Sequence, residues 1–147
     1  MNTRSRSTLF LIEQLIVIAV FAICAAACAR ILTSAYFSSR DSRDMSNAIL
    51  VAESSAESFK ATGGDTRKVA ELLGGVNGTV NGNAAAIIYY DRQWTVCGFD
   101  DAYYRLVLVN EGLDSGFVYL LSGSLTVERL TGEEILAFPV AVRGRAG

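Results

Sequence analysis

The chain has 147 residues, enough for one domain with an appendage and too few for two full domains. Charged residues make up 19% and hydrophobic ones 51%, an apolar balance high for a small soluble domain, and 13 basic against 15 acidic residues argue against a strongly basic nucleic-acid binder. There is no histidine, which excludes Ser-His and Cys-His catalysis and most zinc sites.

The apolar excess sits at the front of the chain. From Leu9 to Ala29 the only strongly polar side chains are Glu13 and Gln14. About twenty apolar residues at a rise of about 1.5 Å cross a bilayer core of about 30 Å. Arg4 and Arg6 precede this run with no acid beside them, so the positive-inside rule leaves the N-terminus in the cytoplasm and everything after Arg30 outside. Three kinds of segment begin in this way: a cleaved secretory signal, with Ala25-Ala26-Ala27 as its small-residue pattern; a lipoprotein signal, with AAAC ending at Cys28; and a retained anchor. The retained anchor is favoured by Glu13, which an ordinary signal has no reason to carry, and by a helical pattern that does not stop at the end of the apolar run.

Ile31, Leu32, Ala35 and Tyr36 extend that pattern beyond Arg30. After the polar stretch SSRDSRD, the residues Met45, Ala48, Ile49, Ala52, Ala56 and Phe59 recur at spacings of three and four. No proline or glycine interrupts residues 1–62, so one long helix is expected, apolar all round in its first half, amphipathic in its second and ended by Gly63-Gly64. Within it, Ala22, Ala25, Ala26 and Ala29, with Cys24 and Cys28, are read as a small-residue face that lets membrane helices approach closely; the other reading is a weakly apolar helix end. Cys97 has no cysteine in the outer part to pair with.

The segment FLIEQLIVIAVFAICAAA resembles the N-terminal segment of the type IV pilin and type II secretion pseudopilin superfamily, in which a short basic leader and a glycine precede Phe-Thr-Leu-Ile-Glu and a long apolar helix. Laid on that pattern, Leu11, Ile12 and Glu13 match, while Thr8 stands at the glycine before the cut and Leu9 at the first residue after it. The resemblance implies a membrane peptidase acting between Thr8 and Leu9 and methylation of the new amine. It also implies a role for Glu13 in subunit assembly, paired with a neighbour's N-terminal amine. Without the cut, Arg4 or Arg6 of a neighbour would take the amine's place. The other account of Glu13 is a carboxylate that snorkels from the first turn of the helix toward the interface, favoured by the helix dipole.

After Gly64, Asp65 caps a short helix DTRKVAELL closed by Gly74-Gly75, and VNGTVNGN reads as a loop. Strands are expected at AAIIYY, WTVCGF, YYRLVLVN, GFVYLLSG, SLTVERL and EEILAFPVAV. In the last of these Leu136, Phe138, Val140 and Val142 share one face, and Pro139 places the strand at an edge. That face needs a cover, which Ile49, Ala52, Ala56 and Phe59 of the long helix supply. The fold class is therefore α+β, a long N-terminal helix on an antiparallel β-meander, which is also what the resemblance implies. Its parts are a short basic leader (1–8), a transmembrane half-helix (9–29), an extracytoplasmic half-helix (30–62) and a globular head (63–147).

The expected function is that of a structural subunit, a minor pilin or pseudopilin, in a type IV pilus or type II secretion-like assembly. Its site is the cytoplasmic (inner) membrane, single-pass, with the head outside. Partners implied are other pilin-like subunits through the N-terminal helix, membrane lipid, an assembly platform protein and a prepilin peptidase. The alternative is an extracytoplasmic binding module anchored by the helix or by a lipid on Cys28 and not assembled. No enzyme, cofactor or metal is expected: the acid pairs Asp100-Asp101 and Glu133-Glu134 fit turns, and Asp91, Asp100, Asp101 and Asp114 lack ligand spacing. Nor is nucleic acid, because setting aside Arg4, Arg6 and Glu13 leaves 11 basic and 14 acidic residues, and Asp41 and Asp44 sit among Arg30, Arg40 and Arg43.

Overall fold

A computed structural model describes residues 3–113 and 120–143, with side chains from Thr8 onward. Asp114 and residues 116–119 of the run GFVYLLSG lie outside the described residues, as do the side chains of Arg4 and Arg6. Contacts divide the chain into two compact units, Met1–Ser42 and Arg43–Gly147.

Helix α1 (Thr3–Ala61) is continuous, as expected from a stretch without proline or glycine. It stops where Gly63 and Gly64 turn left-handed, at φ +68° and +89°, and the Gly64 amide returns to the Phe59 carbonyl at 2.9 Å. Within the second unit α1 buries Ala48, Ala52, Ser55, Ala56 and Phe59. The expected face is shifted by part of a turn: Ser55 is inside and Met45 and Ile49 are each 40% exposed, at its rim. Ser55 is tolerated there because its hydroxyl donates to the Val51 carbonyl at 2.7 Å. Full burial of Phe59 contributes about 1.5–3 kcal/mol.

Helix α2 (Thr66–Leu73) forms as its ends dictate. Asp65 accepts hydrogen bonds from the Arg67 and Lys68 amides, and Gly74 closes the helix at φ +70°. The sheet is a five-stranded antiparallel meander in the order β1 (Val76–Val80), β2 (Asn83–Tyr90), β3 (Tyr104–Leu113), β4 (Leu120–Arg129), β5 (Glu134–Arg143). The expected loop VNGTVNGN is instead a hairpin. Asn81 and Gly82 both have positive φ, 52° and 82°, which is the mirror-image turn that matches strand twist.

A second correction concerns WTVCGF, which contributes a single bridge, Tyr90 to Val96, followed by the 3₁₀ turn Phe99–Asp101. Asp91 is the cause: its carboxylate accepts from the Gln93 and Thr95 amides at 2.8 and 2.9 Å and winds the chain into a tight loop in place of a strand. Third, LLSG and SLTVER are one strand, β4, with Gly123 in its interior rather than between two strands. Pro139 does lie on an edge strand, β5, and Leu136, Phe138, Val140 and Val142 do face the core. The molecule is thus an α+β protein in which a long helix, apolar in its first half, packs its second half on a five-stranded antiparallel sheet.

Candidate functional site

Two regions carry side chains that packing alone does not explain. The first is the front of α1. Every described residue from Thr8 to Ser42 is exposed, including Leu9 (64%), Phe10 (65%), Ile16 (56%) and Phe21 (75%). Its most apolar 18-residue window has a mean hydropathy of 2.7, so by length and composition this helix can cross a membrane.

The helix separates the residues singled out in the sequence. At about 100° per residue, Ala22, Ala25, Ala26 and Ala29 fall on one side and Glu13 on the side roughly opposite. Cys24 and Cys28, both free thiols, lie on Glu13's side with Val17 and Ile31 and are not part of the alanine face. The proposed contact through Glu13 and the proposed close packing through alanines therefore address different neighbours. Thr8 and Leu9 lie within the helix, next to each other at its exposed front.

The second region lies in the head. Asp44 of α1 accepts a hydrogen bond from the Tyr104 hydroxyl of β3 at 2.8 Å and pairs with Arg129 of β4 at 2.7 Å. Arg129 also holds Glu133. Asp44 and Arg129 are only 17% and 18% exposed, so these bonds are shielded from water and salt, and a hydrogen bond to a charged group contributes on the order of 1.5–3 kcal/mol net. The Trp94 ring stacks on Tyr104 at 4.0 Å and 18°, Tyr103 meets Tyr104 edge-on, and the Arg92 guanidinium lies 5.0 Å from the Tyr103 ring centroid. Trp94 reaches this stack with φ +62°, a left-handed conformation costing a residue with a Cβ about 1–2 kcal/mol. The Asp91 loop holds it there.

Burial, with the Asp44 bond adding to it, pushes the Tyr104 phenol up to about 12, and burial does the same to Tyr90. Burial first, then Asp91 and Asp101, raises the Cys97 thiol, which favours its protonated form. Asp65 is held below the usual carboxylate range chiefly by the Lys68 amide it caps.

The Asp44 cluster was not singled out in the sequence, where Asp44 is one acid of a charged stretch. One signal was available: Asp44 stands four residues before Ala48, on the same stripe as Ala52, Ser55 and Phe59. Among the described residues no group of three or more metal-ligating side chains converges. Comparison with protein-family models, with curated proteins and with solved structures finds no match.

Proposed function

We propose that this protein is a membrane-anchored structural subunit that assembles with other copies or similar subunits through the front half of α1, in the manner of a minor pilin or pseudopilin. The observation that carries the proposal is Glu13, a carboxylate on the outside of an apolar helix long enough to span a bilayer. An acid in hydrocarbon costs about 2.5–3.5 kcal/mol on insertion scales and draws any cation offered, so an unpaired Glu13 favours association. The two-sided layout supports the same reading. A helix that meets one neighbour through Glu13 and another through its alanine face makes heterologous contacts, which build open assemblies rather than closed pairs. The α+β architecture is the one the pilin resemblance implies. In this reading the N-terminus is cytoplasmic, the head lies outside, a peptidase acts between Thr8 and Leu9, and a platform protein collects the subunits.

The test uses the full chain in membranes. Glu13→Leu improves the span and leaves the head's melting unchanged, while cross-linking between copies through Cys24 and Cys28 falls at least ten-fold. Glu13→Gln, which keeps shape and hydrogen bonding but not charge, behaves like Glu13→Leu. N-terminal sequencing identifies the partner: a start at Leu9 supplies a free amine, a start at Met1 points to Arg4 or Arg6. Cross-linking at the wild-type level in both variants means a snorkelling carboxylate and an anchored binding module.

A further inference from the structure

The docked part of α1 is held in two different ways. From Ala52 to Phe59 the helix is attached by burial: Ala52, Ser55 and Phe59 are fully enclosed and Ala56 nearly so. From Asp44 to Val51 it turns only Ala48 fully inward, while Met45 and Ile49 are 40% and Leu50 63% exposed. Apart from Val51 at its end, which packs partly on the core, this segment buries one methyl group, so its apolar contribution is smaller than that of Ala52 to Phe59. Polar ties to Asp44 from two strands, the Tyr104 hydroxyl and the Arg129 guanidinium, carry a large share of the attachment. The group that makes the first tie is itself positioned by Trp94, whose backbone is left-handed. A left-handed backbone at a residue with a Cβ persists only where its surroundings hold it, and here it is held directly beside the residue that ties Asp44.

We infer that Asp44 is the bolt of a latch: the segment from Asp44 to Val51 lifts from the sheet, by bending or fraying, while Ala52 to Phe59 stays docked, and the bonds from Tyr104 and Arg129 set how often it does so. The opened state leaves the Asp44 carboxylate in water and uncovers the apolar surface beneath Ala48. Closing it requires both strands to be in register, because Tyr104 and Arg129 are directly paired across β3 and β4. The latch is independent of the assembly reading, since every residue in it belongs to the Arg43–Gly147 unit.

The experiment uses the full chain in detergent, with Cys24, Cys28 and Cys97 changed to serine and one thiol placed at Ala48 or at Ala52, both of which are fully buried. The thiol at 48 reacts with a maleimide at least ten-fold faster than the thiol at 52. Adding Asp44→Asn speeds the reaction at 48 about ten-fold more and leaves that at 52 within two-fold. A second measurement needs no inserted thiol. Tyr104→Phe keeps the ring and its stack but removes the hydroxyl, and it speeds limited trypsin cleavage after Arg43 about ten-fold without changing cleavage after Lys60. Equal labelling at 48 and 52, or both sites accelerated alike by Asp44→Asn, overturns the latch, as does trypsin cleavage after Arg43 at the wild-type rate in Tyr104→Phe.

Discussion

Phe59 of α1 rests on the bare backbone of Gly123 in β4. A Cβ at Gly123 would stand 3.4 Å from Phe59 Cζ, 3.3 Å from Val140 Cγ2 and 2.5 Å from the Val109 carbonyl oxygen. The last is backbone and has nowhere to go. Gly123→Ala is therefore expected to destabilise the head by about 2–3 kcal/mol, read as a lower denaturant midpoint. Gly98→Ala is the control: φ there is −76° and nothing lies within 4 Å of the added Cβ, so its stability stays within about 0.5 kcal/mol of the parent.

Removing the cap of α2 by Asp65→Ala costs about 1 kcal/mol. Because the folded state lowers the Asp65 pKa, the charged form is what the fold favours. The contribution is fully present above the unfolded value near 3.8 and is lost as pH falls through the lower folded value. Denaturant midpoints of wild type and Asp65→Ala are expected to differ at pH 7 and to converge toward pH 2.

The alkaline limb has the opposite sign. Tyr90 and Tyr104 are raised from 10.0 to about 12, so the fold favours their neutral forms. Stability from them is intact below pH 10 and declines as pH rises toward 12. In an absorbance titration of phenolate formation, Tyr90 and Tyr104 titrate late, and Tyr104→Phe removes one of that pair.

The head carries its own core, from Ala48 and Phe59 of α1 to Val140 and Val142 of β5. A fragment covering 43–147 is expected to express as a folded domain and to melt in one cooperative transition by circular dichroism. A fragment starting at residue 63 lacks the α1 cover, leaves the face of Leu106, Leu108 and Leu125 open, and is expected to aggregate.

Features decided by neighbours along the chain could be read from the sequence. The unbroken run to Gly63-Gly64 predicted α1, the Asp65 cap and Gly74 predicted α2, and the period of two in LAFPV with Pro139 predicted an edge strand with one buried face. These depend on backbone preference and on hydrogen bonds a few residues long, which the local sequence supplies in full. The hairpin at Asn81-Gly82 was also written locally, but two glycines and three asparagines among eight residues masked the strands around the turn. WTVCGF has the composition of a strand and is not one, because the Asp91 carboxylate offers the Thr95 amide a nearer partner than a ladder does.

Only the tertiary structure decided the rest. Tyr104 and Arg129 lie 60 and 85 residues from Asp44, and no period or motif connects positions so far apart. Whether Asp44 is a solvated charge or a shielded tie depends on which strands the sheet order brings under it. The same holds for Gly123, whose missing side chain looks like a turn until Phe59 is placed on it, and for Ile49, which stays 40% exposed at the rim of the buried face. Glu13 is the reverse case. Its type and its place in an apolar run are fully visible in the sequence, and the helix adds that it faces away from the alanines; in the proposed assembly its partner belongs to another chain, because the positions one turn away on its own helix, Leu9, Phe10, Ile16 and Val17, carry no cation.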